Sequence, residues 1–217
     1  MPIHSLYIEN FKGLREGAEI PIKPITIFIG ANSSGKSSCI HALAAMAQTM
    51  KFPNDRRPLV LDDEFASVHL GRFIEVIHTK HYTDTIKMGL SIGELSYRTY
   101  PPNSTASELL TGEARCCYRF KSTRRTQDIQ LQSAEITIGE LEFRATAGRL
   151  AYDIVNSQTG AKTKLPLQGG FLFDSRGTAT RIEPRTRLMQ FSPLFQVQRA
   201  LQKELLTSPW HRLHSRP

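Results

Sequence analysis

The sequence predicts an α/β fold in which a strand, a loop and a helix are followed by an antiparallel β-meander. The first observation is a β-branched run at residues 25–29, which precedes a loop at residues 30–35 and a helix-like run from Lys36 to about Met50. The second is a series of strand-length, partly alternating runs between residues 85 and 155, several of them separated by turns at glycine. Strands that follow one another without intervening helices favour an antiparallel sheet over a βαβ series.

The N-terminal residues predict a strand, a turn and an edge strand. Residues 4–8 alternate loosely between polar and apolar side chains, and the turn formers Asn10 and Gly13 follow them. Residues 18–20 are expected to pair with the first strand at a sheet edge, because Pro21 and Pro24 cannot donate to a ladder. The largely apolar run 25–29 has the composition of a buried central strand.

The loop fits the pattern G-x-x-x-x-G-K-[ST] in the strand, loop and helix order that a phosphate-binding P-loop requires. Gly30 and Gly35 let the backbone turn, so that successive N–H groups form an anion nest at the helix N-terminus. Lys36 would reach the β- and γ-phosphates and act as the catalytic residue, and the Ser37 hydroxyl would bind Mg²⁺. The alternative is a glycine-serine turn that caps an ordinary helix. The complete motif in this context favours a P-loop NTPase.

Three regions of the chain are distinguished by their patterns. Residues 1–80 form the predicted P-loop core, and residues 81–175 form the antiparallel β region. Its expected strands are 85–92, 94–100, 114–121, 128–138, 141–147 and 150–155. Residues 188–207 carry apolar side chains at helical spacing, which predicts an amphipathic helix over about 193–207.

Residues 59–64 have the sequence Leu-Val-Leu-Asp-Asp-Glu, which resembles a Walker B strand with its acidic end. A Walker B strand must be buried beside the P-loop strand. Here Pro58 and the charged residues 55–57 frame only three apolar residues. We therefore interpret the segment as a solvent-exposed turn or hairpin.

Composition leaves two explanations of the charge open. The 217 residues carry 28 Lys and Arg against 20 Asp and Glu, a net charge of +8, and the pI is 9.6. This excess suits a nucleic-acid partner, and it equally suits a fragment whose acidic half is missing. Cys39, Cys116 and Cys117 are interpreted as buried, reduced thiols. No run of eighteen apolar residues and no secretory signal is present, so we expect no membrane association and a cytoplasmic location.

Three segments carry a resemblance to a known family. They are Tyr7-Ile8-Glu9-Asn10-Phe11-Lys12-Gly13-Leu14, the run from Ile25 through the P-loop to Ser38, and Leu70-Gly71-Arg72-Phe73 with Ile77-His78 behind it. Together they resemble the N-terminal lobe of the SMC/RecF/OLD group of ABC-type ATPases, especially the AAA-family ATPases of bacterial anti-phage systems.

The resemblance implies an ABC-ATPase-like lobe that binds ATP and Mg²⁺. It implies that Lys12 approaches the phosphates or the base, and that Asn32 and Ser38 help to shape the pocket. The complete set of implied and motif-derived binding residues is Lys12, Gly30, Ala31, Asn32, Ser33, Ser34, Gly35, Lys36, Ser37 and Ser38. It further implies a homo-oligomer formed through the ATPase heads, with a nuclease or effector protein and DNA as partners.

The family completes its site with a glutamine loop, a signature motif, a Walker B Asp-Glu pair and a switch histidine, and none of these is convincing in this sequence. We expect either the first half of a longer protein or a natural half-site that needs a partner chain, and we favour the first. Two other hypotheses remain. One is a stand-alone P-loop kinase or GTPase, although no Asn-Lys-x-Asp tetrapeptide is present. The other is a nucleotide-stabilised scaffold that binds DNA or a nuclease.

Overall fold

The computed structural model of the protein describes residues 3–32, 34–51, 57–99, 106–123, 128–148, 151–165, 167–173 and 191–207. Its main feature is an eight-stranded antiparallel sheet. The strands are β1 (Ile3–Glu9), β2 (Ala18–Pro21), β3 (Ile86–Thr99), β4 (Glu108–Ser122), β5 (Ile129–Ile138), β6 (Leu141–Ala147), β7 (Tyr152–Asn156) and β8 (Lys162–Leu165). A separate two-stranded hairpin consists of β9 (Leu167–Gly169) and β10 (Leu172–Phe173).

The strand order is β2-β1-β3-β4-β5-β6-β7-β8, which confirms the predicted meander and the edge position of β2. The prediction of a turn at Ile92 and Gly93 was wrong, because β3 continues through these residues as one strand. A register shift between Ile92 and Leu95 lets β3 pair with β4 on both sides of the irregularity. Local sequence marks a glycine as a break, whereas the neighbouring strand keeps the backbone extended through it.

Two long helices, α1 (Lys36–Lys51) and α3 (Ser192–Thr207), pack on one face of the sheet, and α2 (Phe73–Val76) is a single short turn. Both long helices agree with the sequence prediction. Inward-facing side chains alternate along the strands and form the core with the helices, as in β4, where Ala114, Cys116, Tyr118 and Phe120 are buried. The Tyr118 ring lies 4.5 Å from that of Phe171, centroid to centroid, in this core.

The three cysteines are free thiols, and the sequence prediction holds for two of them. Cys39 and Cys116 are buried, but Cys117 is only half-buried, because alternation along β4 turns it towards the opposite face of the sheet. Burial raises the pKa of Cys116 to about 12 and that of Cys117 to about 11. Both are therefore protonated and unreactive near neutral pH.

The expected central P-loop strand is the main correction to the predicted fold. Residues 25–29 are not in a strand, and Ile25, Ile27 and Ile29 are 82%, 76% and 91% exposed. A β-branched run becomes a buried strand only when neighbouring strands pair with it and a further layer covers it. Within the described residues no strand lies alongside this run, so its apolar composition alone could not bury it.

The Walker B-like segment is not a strand, as we expected, but its apolar residues differ from our expectation in their burial. Leu59, Val60 and Leu61 are buried rather than exposed. The Gln48 side chain on α1 holds them, because its Nε2 donates to the Val60 carbonyl at 2.8 Å and its Oε1 accepts from the Val68 amide at 3.0 Å. Asp62 and Asp63 are bonded to His69 and Arg57.

Several predictions fall on residues that the structure does not describe. They include Ser33 of the P-loop, residues 188–190 of the amphipathic segment and residue 150 of the last predicted strand. In the part of the chain that the structure describes, no helix is both long enough and apolar enough to cross a bilayer.

Candidate functional site: the P-loop and the turn against it

The P-loop lies at the N-terminus of α1 and is open to solvent. Ala31, Asn32, Ser34 and Ser37 are exposed, while Gly35 is buried. The Ser34 amide donates to the Ala31 carbonyl at 3.3 Å, and the Ser38 amide donates to the Gly35 carbonyl at 3.0 Å, so the loop turns directly into the helix. The first turn of α1 contains no acidic side chain to offset its positive end.

Lys36 folds back over this loop. Its Nζ donates to the Gly30 carbonyl at 2.8 Å and to the Ala31 carbonyl at 2.6 Å. In the described residues it forms no ion pair, so carbonyl dipoles alone hold the ammonium. An anion in the loop would offer that ammonium a full negative charge in place of two partial ones.

A tight turn at residues 10–14 packs against the buried side of the loop. Asn10 and Lys12 have φ angles of 57° and 49°, in the left-handed region that favours asparagine and glycine. The Phe11 amide donates to the Leu14 carbonyl at 2.8 Å, and the Leu14 amide donates back to the Phe11 carbonyl at 2.9 Å. The turn therefore has one defined shape at the end of β1.

Two contacts join this turn to the P-loop. The Gly13 amide donates to the Ser38 Oγ at 3.2 Å. A Cβ on Gly35, whose φ is +91°, would lie 2.8 Å from the Leu14 Cδ2. Ser38 is buried, so its hydroxyl holds the turn against α1 rather than facing the open side of the loop.

The third segment that carried the family resemblance packs on the other side of the same turn. The Lys12 amide donates to the Val76 carbonyl at 2.6 Å, and His78 Nδ1 lies 2.7 Å from the Lys12 carbonyl. The Asn10 side chain accepts from the Thr79 amide at 3.1 Å and donates to the Thr85 carbonyl at 3.0 Å. Three segments far apart in sequence thus meet around one five-residue turn.

Positive charge collects on the turn and the adjacent face of α1. The pKa of the Lys12 ammonium is lowered by partial burial and then by the nearby charge of Lys80. Burial, with the Lys12 charge as a second cause, lowers the pKa of His41, and its Nδ1 is buried without a partner in the described residues. A negative group beside Lys12 would relieve this repulsion.

Of the predicted site residues, the structure brings the loop, Lys36, Ser37, Ser38 and the Lys12 turn together at one end of α1. Sequence reasoning gave no role to Leu14, His41 or His78, which support the turn or the loop. Asn10 was recognised as a turn former, but not as the residue whose side chain ties the turn to residues 79 and 85. The available signal was asparagine at a turn, which tolerates positive φ.

The residues of the loop and of the first turn of α1 fit a nucleoside triphosphate with its metal ion. The loop and Lys36 suit phosphates, and the exposed Ser37 hydroxyl suits Mg²⁺, which keeps most of its waters and takes few protein ligands. No group of three or more His, Cys, Asp or Glu side chains in the described residues could hold a metal ion by itself. The metal would therefore be held mainly by Ser37 and the phosphates.

A loop with the P-loop sequence pattern at the start of a helix, held against a left-handed turn, is the arrangement expected of a nucleotide-binding site. A family model described as AAA ATPase domain matches residues 1–158. The chain therefore belongs to the AAA ATPase domain family of P-loop ATPases, which gives it ATP binding and a general ATPase function. The comparison with curated proteins found no match.

Proposed function

We propose that this chain is the ATP-binding lobe of an SMC/RecF/OLD-like ATPase of the cytoplasm, and that residues 30–38 hold Mg²⁺-ATP with Lys12 at their side. The observation that carries the proposal is Lys36, whose ammonium donates to the Gly30 and Ala31 carbonyls of the loop and has no other partner among the residues that the structure describes. A rotation of the Lys36 side chain would bring this ammonium to a phosphate bound in the loop.

The chain's own residues have separate tasks in this function. The loop amides and Lys36 bind and orient the phosphates, and Ser37 holds the metal, which when bound neutralises charge on the phosphate oxygens. Lys36 stabilises the charge that develops in phosphoryl transfer. The sequence has no convincing Walker B glutamate or signature motif that could activate the attacking water, so we expect hydrolysis by this chain alone to be very slow or absent.

Substitution of Lys36 tests the proposal. Lys36→Ala should weaken binding of a fluorescent ATP analogue in the presence of Mg²⁺ at least tenfold, because it removes the charge that faces the phosphates. Lys23→Ala is the matched control, because Lys23 is an exposed lysine that precedes residues 25–29 in the sequence and is not part of the loop. Equal affinity of Lys36→Ala and wild type would refute nucleotide binding at this loop.

We further propose that nucleotide drives association of two heads and that this association controls a DNA-related or anti-phage activity with a nuclease or effector partner. The family resemblance of the first 78 residues supports it, together with the net charge of +8. Light scattering with a non-hydrolysable ATP analogue should show a doubled mass that Lys36→Ala abolishes. DNA binding should weaken steeply as salt rises, and no binding at low salt would remove DNA from the proposal.

A further inference from the structure

A small pocket opens on the face of the sheet that is turned away from the two long helices. Its floor is Gly89 in the middle of β3, which pairs with Tyr7 of β1 on one side and with Cys117 of β4 on the other. These three residues face away from the helices, because the residues that alternate with them along each strand fill the core. The pocket has a volume of about 180 Å³.

Gly89 keeps the floor of this pocket low. A Cβ at this position would lie 2.8 Å from the Cys116 carbonyl oxygen and 3.2 Å from the Cys117 Sγ, so there is no room for a side chain. A glycine inside a strand is often the place where a ligand approaches the backbone closely. The Tyr7 ring leans away from Gly89, since its hydroxyl lies against Gly17, which precedes β2 on the other side of β1.

An unpaired ammonium lies at one end of the pocket. Lys87 is directly opposite Glu9 in the sheet, but the Glu9 carboxylate accepts from the Tyr7 hydroxyl at 2.6 Å. The Lys87 Nζ lies instead 5.1 Å from the centroid of the Tyr7 ring. Among the residues that the structure describes, this ammonium forms no hydrogen bond or ion pair. An anion in the pocket would therefore supply the charged partner that Lys87 lacks.

The other end of the pocket is formed by Arg115 and two hydroxyl groups. Arg115 nitrogens lie 3.6 Å from the Glu19 carboxylate and 3.5 Å from that of Glu113, longer than the roughly 2.8 Å of a charge-assisted hydrogen bond. The Ser5 Oγ donates to Glu19 at 2.8 Å and lies 2.8 Å from the Ser91 Oγ. Because the one proton of Ser5 goes to Glu19, Ser91 donates to Ser5. Both hydroxyl protons are thus engaged, whereas the Arg115 N–H groups can still bind an anion.

The lining of the pocket carries a net positive charge. Lys87 and Arg115 contribute two positive charges, and Glu19 contributes one negative charge. Tyr7 and Cys117 are neutral near pH 7, because burial raises the pKa of Tyr7 to about 12 and that of Cys117 to about 11. The electrostatics of the pocket therefore favour an anionic ligand.

The walls of the pocket favour a flat ring. The Tyr7 ring lies on one side of Gly89 and the Cys117 Sγ on the other, and both groups make favourable contacts with an aromatic ring. The volume suits one six-membered ring with a small substituent, since a protein cavity of about 150 Å³ binds benzene.

We propose that the pocket over Gly89 binds a small molecule that has one aromatic ring and one carboxylate or phosphate group. The ring lies on Gly89 between Tyr7 and Cys117, and the anionic group binds the Lys87 ammonium. The pocket is on the opposite face of the sheet from α1 and its P-loop, so this site is separate from the proposed nucleotide site.

Fluorine NMR with two probes tests the proposal. The probes are para-fluorobenzoate and para-fluorophenyl phosphate, and para-fluorobenzamide is the neutral control of the same shape. The signal of at least one anion should broaden and shift when the wild-type chain is added, whereas that of the amide should not. The anion that binds more tightly identifies the acidic group. Backbone amide signals of Gly89 and Cys117 should shift at the same probe concentration.

Variants locate the binding. Lys87→Gln should weaken binding of the anion roughly tenfold, because it removes the charge that faces the probe. Lys162→Gln is the matched control, since Lys162 is an exposed lysine on the same face of the sheet in β8. Cys117→Leu should abolish binding by filling the pocket, and it should remain folded because Cys117 is only half-buried on this open face. Lys36→Ala should weaken ATP binding and leave probe binding unchanged.

Four results would overturn the proposal. The first is the absence of binding by both anions at millimolar concentration. The second is equal affinity of wild type and Lys87→Gln, with both chains folded by circular dichroism. The third is equal binding of the amide and the anions. The fourth is loss of probe binding in Lys36→Ala, which would place the probe in the P-loop.

Discussion

Gly35 lies directly against Leu14, so that a Cβ on Gly35 would come within 2.8 Å of the Leu14 Cδ2. The same glycine has a φ of +91°. The second glycine of the P-loop is therefore fixed by two separate requirements, one conformational and one steric. The steric requirement comes from Leu14, 21 residues earlier in the chain, and this contact packs the P-loop against the turn that follows the N-terminal strand.

Substitution of this glycine should show both requirements. Gly35→Ala should lower the free energy of unfolding by about 2–4 kcal/mol, through positive-φ strain plus overpacking against Leu14. Gly160→Ala is the matched control, because Gly160 has a φ of +67° and nothing within 4 Å of its Cβ position. It should cost only about 1 kcal/mol. Urea denaturation measures both, and equal losses would contradict the contact with Leu14.

The two serines after Lys36 should separate binding from stability. Ser38→Ala should destabilise the fold by about 1–2 kcal/mol, because it removes the acceptor of the Gly13 amide. Ser37→Ala should leave stability within about 0.5 kcal/mol of wild type, since Ser37 is exposed. Its effect should instead be weaker Mg²⁺-dependent ATP binding. Urea denaturation and nucleotide titration are both needed, and a reversed pattern would exchange the two roles.

Gln48 should be necessary for the packing of the Walker B-like segment. Gln48→Leu should lower the free energy of unfolding by about 2–3 kcal/mol, because the buried Val60 carbonyl and the Val68 amide lose their partners. Gln130→Leu is the control and should be close to neutral, because Gln130 is exposed at the start of β5. Limited proteolysis should then cut near residues 59–68 in the Gln48 variant alone. Resistance there would contradict the anchoring role.

His41 should make stability depend on pH below neutrality. Burial and the Lys12 charge lower its pKa in the folded chain, so the unfolded chain takes up that proton at a higher pH. The unfolded state then binds more protons, and stability falls as the pH drops below about 6.5 and on through the folded-state pKa.

Denaturation at a series of pH values between about 7.5 and 5 measures this loss. His41→Gln should show a smaller loss than wild type over that range. Lys12→Ala should raise the pKa of His41, as followed by NMR of its ring protons. Identical pH profiles for wild type and His41→Gln would show that this group does not contribute.

Local sequence patterns were sufficient to predict many of the helices and strands of this molecule. The 3.6-residue spacing of apolar side chains located α1 and α3, and the alternation along β4 to β7 located the meander. Each of these depends on residues that are close in sequence, so the sequence carries the whole signal. Even there, Gly93 was misread as a break because the irregularity in β3 depends on its pairing with β4.

The remaining features depend on which distant residues meet. Residues 25–29 have the sequence of a buried strand, yet a buried strand needs neighbouring strands, and none of the described strands pairs with them. The bond from the Gly13 amide to Ser38 and the bonds from Gln48 of α1 to the segment around Val60 join residues that are distant in sequence, so local patterns did not predict them. Local chemistry thus located most of the helices and strands, whereas long-range packing decided that residues 25–29 do not form a strand, that β3 continues through Gly93 and which segments are buried.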